Sequence, residues 1–188
     1  MPFTPADFHG RLDTDLWVIE QILLLPSDPV PNVTEKPDGT IEIAIVDTVG
    51  MPQMQDAVAE YRRHLLPVVF VVTQKVYAEL FRVMLWQNGR DVGERQYDIE
   101  RVLQPLVASG SVTAWHPFQD AAAFFSWWSG SYDFVTLRKA RNQVVHKCYT
   151  FAAGRLTVAD DGGTQLLSWT EAEILAFAKA VLERAKRV

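Results

Sequence analysis

A proline inside a long helical pattern constrains this chain more than any other feature. From about Gln53 to Trp86, Val58, Tyr61, Leu65, Val69 and Val72 fall on one side at helical spacing. Val76, Leu80, Val83 and Met84 carry the period onward, and Gln87-Asn88-Gly89 ends it. Pro67 lies within this stretch, where it lacks the amide hydrogen and crowds the preceding turn, so the helix must kink or split there. The valine-rich run from Pro67 to Thr73 also has strand character. Without a turn signal on its far side, helix is the better expectation. A segment this long cannot bury its apolar stripe alone, and the rest of the chain must supply helices to cover it.

Those helices are legible. Thr4 is placed to cap a first one, with Pro5 at its first position and Phe8, Leu12, Leu16, Ile19 and Leu23 as its apolar stripe. Residues 26–39 hold four prolines and read as an exposed loop. Thr40 to Asp47, with isoleucine at 41, 43 and 45, reads as a short strand. Further helices are expected at about Gln96 to Ala108, bent at Pro105, and at Pro117 to Trp128. The pairs Phe124-Phe125 and Trp127-Trp128 in the latter are core or interface material. Ser131 is placed to cap a helix from Tyr132 to about Lys147. Cys148 to Ala152 and Leu156 to Ala159 then flank a glycine turn, and Thr164 to Ser168 follows as a third strand after Asp160-Asp161-Gly162-Gly163. Thr170 and Glu173 form a capping box, with Trp169 and Ile174 at staple spacing. The last helix buries Ile174, Phe177, Ala178, Val181 and Ala185. The expectation is a mainly α four- or five-helix bundle with a small β-hairpin or three-stranded element.

Composition narrows the function classes. With 188 residues and 48% hydrophobic content, the chain suits one domain with a real core. The single cysteine, Cys148, excludes an internal disulfide and fits a reducing compartment. No apolar run approaches the ~20 residues of a membrane span, and the N-terminal residues lack a signal-peptide pattern. A cytoplasmic location is therefore expected. The net charge is −5, unevenly spread: residues 132–188 carry nine basic and six acidic side chains. Between Arg138 and Arg155 lie five basic residues and no carboxylate. That stretch reads either as a solvated face or as a local phosphate-binding patch.

Most common catalytic constellations are absent. No glycine-rich phosphate loop follows a strand, and no serine has the glycines of a nucleophile elbow. The four histidines are scattered, and His146 with Cys148 alone makes a poor zinc site, so neither a metal nor a cofactor is expected. The remaining cluster is Arg-Asn-Gln-Val-Val-His, from Arg141 to His146. Asn142 and His146 are four apart and share a helix face, which Arg138 extends into a polar stripe. Arg141 lies about 140° around from His146 and must lean across. A histidine beside a fixed positive charge at the end of a helix can handle a phosphodiester.

This run, late in a penultimate helix and followed by a short β segment and one amphipathic helix, resembles the HEPN (higher eukaryotes and prokaryotes nucleotide-binding) domain family. The resemblance covers residues 52–188, with residues 1–51 as an addition to the core. It implies a helical bundle and two alternative functions. In the first, the chain is a metal-independent endoribonuclease of toxin or antiphage type, acting as a homodimer with both motifs facing one cleft. His146 would then be general acid or base for attack by the RNA 2′-hydroxyl, and Arg141 would hold the scissile phosphate. Asn142 would orient His146 or touch the substrate, while Arg138, Lys139 and Lys147 would bind flanking phosphates. An antitoxin is the expected partner. In the second, the bundle is a non-catalytic binding or scaffold module, paired in some cases with a nucleotidyltransferase.

Overall fold

The computed structural model describes residues 5–24, 32–35, 41–44, 52–90, 92 and 96–188, with side chains described for residues 8–23, 64–90, 92 and 98–188. Helix α1 spans Pro5–Leu24 and α2 spans Pro52–Gln87. Residues 67–73 are helical, and α2 runs as one 36-residue element through Pro67 rather than splitting there. Helix α3 is Gln96–Ala108, with Pro105 inside it. Helix α4 is only Ala121–Phe125, followed by a π-helical turn at Ser126–Gly130. Helix α5 is Phe134–Val145 and α6 is Glu171–Ala185. The chain is mainly helical.

Two hairpin elements join them. Strands β1 (Asn32–Glu35) and β2 (Ile41–Ala44) pair antiparallel, Val33 opposite Ile43. Residues 32–35 are thus a strand, although the proline-rich sequence reads as a loop. The prolines around them hid a β-branched Val-Thr pair, and strand pairing here depends on a partner remote from the local signal. The ends of the expected 40–47 strand, residues 40 and 45–47, lie outside the described residues, as does Thr4. Strands β3 (Tyr149–Ala152), β4 (Arg155–Ala159) and β5 (Gln165–Thr170) form a second antiparallel sheet in that order. Its first turn is the two-residue pair Ala153-Gly154, with φ of 49° and 70°. Both residues are left-handed, which matches the twist of a tight hairpin. The second turn is organised by Asp160, whose carboxylate accepts from the amides of Gly162 and Thr164.

The core is built on α2. Val69, Phe70, Val76, Tyr77, Leu80, Phe81, Val83 and Met84 are fully buried on it. Phe8, Leu12 and Ile19 from α1 and Ile174, Phe177, Ala178 and Val181 from α6 enter the same cluster. An aromatic network around Tyr77 and Phe81 includes Phe118, Phe124, Trp127, Trp128, Phe134 and Phe177. The four-aromatic segment is thus core at Phe124, Trp127 and Trp128, while Phe125 stays exposed. The Tyr77 hydroxyl shares its proton between the carbonyls of Trp127 and Tyr132, at 2.7 and 2.6 Å. These bonds pin the chain reversal that leads into α5.

Candidate functional site: the exposed face and C-terminus of α5

Helix α5 is started by Asp133, not Ser131: its carboxylate accepts from the amide of Thr136 at 2.7 Å. Asp and Ser cap equally well, so the choice falls to where the chain turns after Tyr132. Phe134, Leu137, Ala140 and Val144 form the buried stripe. That stripe leaves Lys139, Asn142 and His146 exposed and Arg141 half-buried.

The helix ends in a double hydrogen-bonded reversal. The amide of Lys147 donates to the Val144 carbonyl at 2.9 Å, and that of Cys148 to the Gln143 carbonyl at 2.8 Å. This is the Schellman arrangement, in which the residue after the cap is left-handed and usually glycine. Here it is Lys147, with φ of 61°. A non-glycine residue there costs about 1–2 kcal/mol. The reversal leaves His146 as the exposed C-cap and directs the chain into β3.

Of the five basic residues, Arg155 lies 3.8 Å from Glu173 on α6, and the other four divide into two groups. Arg138 donates from Nε and Nη2 to one oxygen of Glu100 on α3, at 3.0 and 2.7 Å, and each side chain is only 14% exposed. Its charge is engaged at the α3–α5 contact. Lys139, Arg141 and Lys147 make no ion pair among the described residues. Arg141 instead donates from Nη1 to the Asn142 Oδ1 at 3.1 Å, and its Nε is buried without a partner. The shared face expected for Asn142 and His146 exists, but the Asn142 oxygen is held by Arg141. The link from Asn142 to His146 is the helical backbone bond, at 3.1 Å.

Sequence reasoning missed the acidic neighbours. Residues 138–155 contain no carboxylate, yet Glu100 reaches Arg138, and Asp161 accepts from the Gln143 amide at 3.1 Å. Both arrive through tertiary packing, which local composition does not report. Also unforeseen is a buried polar run on α2: Thr73, Gln74 and Arg82. Burial pushes the Glu79 carboxyl up, opposed by the Arg82 guanidinium at 2.9 Å. Among the described residues no group of three or more His, Cys, Asp or Glu is arranged to hold a metal. No helix among them is long and apolar enough to cross a membrane. Two cavities of about 390 and 400 Å³ lie elsewhere, between α1 and α6 and along α3. The chain matches no protein-family model, no curated protein and no solved structure.

Proposed function

We propose that the exposed face of α5 is an RNA-binding and cleaving site of the HEPN ribonuclease type. The observation that carries this reading is an exposed His146 closing the helix, with Lys139 and Arg141 on α5 and Lys147 just past its cap, none of the three in an ion pair among the described residues. Unneutralised cations in an acidic chain favour a polyanionic ligand. Arg141 is the phosphate clamp, its guanidinium steadied by Asn142, and guanidinium stabilises charge growing on a phosphoryl oxygen. His146 takes the proton of the RNA 2′-hydroxyl as that oxygen attacks the adjacent phosphorus. The P–O5′ bond breaks, leaving a cyclic phosphate and a 5′-hydroxyl. The second acid–base group comes from a second copy of the chain, whose His146 faces the first across a two-fold axis.

A binding module without catalysis is the second reading, favoured by two grooves, of about 390 and 400 Å³, whose linings include neither Arg141 nor His146. Expression in cells separates the two. A ribonuclease slows growth and degrades RNA, and His146→Ala abolishes both effects. RNA loss that persists in His146→Ala rejects the catalytic assignment, and RNA binding without cleavage by the wild-type chain selects the module.

A further inference from the structure

On a different face, α1 and α6 enclose a groove of about 390 Å³. One wall is Trp17, 60% exposed and the most exposed large apolar side chain among the described residues. Asp13 and Glu20 stand one helical turn before and after it, so all three share one face of α1. Leu16 and Leu182 line the apolar part of the groove, and Lys186 closes it from α6.

We infer that this groove receives an arginine side chain from a peptide segment, with the guanidinium over the Trp17 indole and beside Asp13. Charge complementarity selects this occupant. Asp13 and Glu20 are the carboxylates that line the groove. Lys186 is already paired with Glu20 at 2.8 Å, so each offsets the other's charge and Asp13 is left as the groove's unpaired carboxylate among the described residues. Asp13 is exposed and makes no ion pair among the described residues. A cation over an indole face gains about 0.5–2 kcal/mol. Arginine fits better than lysine because its plane stacks on the ring while its stem lies on Leu16 and Leu182. A wholly apolar occupant would cover Asp13 without giving it a partner, at a desolvation cost. The volume is near the low end of the ~300–1,000 Å³ typical of ligand pockets, which suits one side chain and not a docked helix. The chain already uses the same contact internally: the Arg184 guanidinium lies 5.2 Å from the Trp127 ring.

The test uses the full chain and a blocked pentapeptide, acetyl-Gly-Ser-Arg-Ser-Gly-amide, beside its neutral citrulline counterpart. The indole N–H resonance of Trp17 is assigned by its loss in Trp17→Leu. The arginine peptide is expected to shift that resonance saturably. The citrulline peptide should bind about tenfold more weakly, and Asp13→Asn should weaken the arginine peptide several-fold. An unmoved resonance, an equal response to citrulline, or undiminished binding by Asp13→Asn would overturn the assignment.

Discussion

The guanidinium of Arg141 donates to Oδ1 of its neighbour Asn142 at 3.1 Å, which joins a half-buried arginine to an exposed asparagine on α5. Asn142 restrains the guanidinium that we propose as the phosphate clamp, and His146 is the helix C-cap.

The pairing predicts unequal effects at the two positions. Arg141→Ala should lower kcat/KM on RNA by about 100-fold or more, the scale for losing one transition-state donor. Asn142→Ala should lower it by about tenfold, since Arg141 keeps its charge and loses its restraint. Asn142→Asp should cost more than Asn142→Ala, because a carboxylate beside Arg141 competes with phosphate for it. Steady-state cleavage assays on the three variants give the ranking directly.

Arg138 and Glu100 make the opposite case. Their contact is mostly buried, and removing one partner leaves the other charge unpaired in a poorly solvated site. Glu100→Ala should destabilise the chain by about 1–3 kcal/mol in urea denaturation. RNA affinity should change little when measured well below the unfolding midpoint.

Lys147→Gly separates stability from function at one residue. Glycine relieves the left-handed backbone and should raise stability by about 1 kcal/mol. In the proposed RNA interface the same change would remove one phosphate contact. The slope of log affinity against log salt should fall by about 0.7–0.9 for single- or double-stranded nucleic acid. A stabilised variant with an unchanged salt slope would take Lys147 out of the interface.

Much of the fold is legible in the chain because its signals are local. The capping box at Thr170 and Glu173 is formed as its spacing requires, with both reciprocal bonds present. The strands after α5 sit where the Ala-Gly and Asp-Gly turns place them. What escaped the sequence depends on remote partners. The β1–β2 pairing, the reach of Glu100 to Arg138 and the approach of Asp161 to Gln143 each join segments whose meeting no local pattern encodes. The C-terminal reversal at Lys147 was also hidden, because lysine does not advertise a left-handed position as glycine does. At the candidate site, residue types and spacing identified the helix, whereas which side chain holds which emerged only from packing.

The capping box carries a pH signature. Backbone and side-chain hydrogen bonds from Thr170 hold the Glu173 carboxyl below the ordinary glutamate value. A carboxyl lowered by folding contributes stability above its unfolded pKa, about 4.3, and loses it as pH falls through the folded value. The Tm difference between wild type and Glu173→Ala should therefore be steady near neutrality and shrink on acidification below about pH 4. Thermal melts followed by circular dichroism across this range check the direction.

The most direct test of the account is cleavage of an end-labelled RNA by the purified chain in excess EDTA, with wild type and His146→Ala side by side. The wild type should produce fragments ending in cyclic phosphate and 5′-hydroxyl, with no cut where the 2′-hydroxyl is replaced by hydrogen. His146→Ala, folded by circular dichroism, should produce none. Equal cleavage by both proteins, or an intact RNA with the wild type, would contradict it.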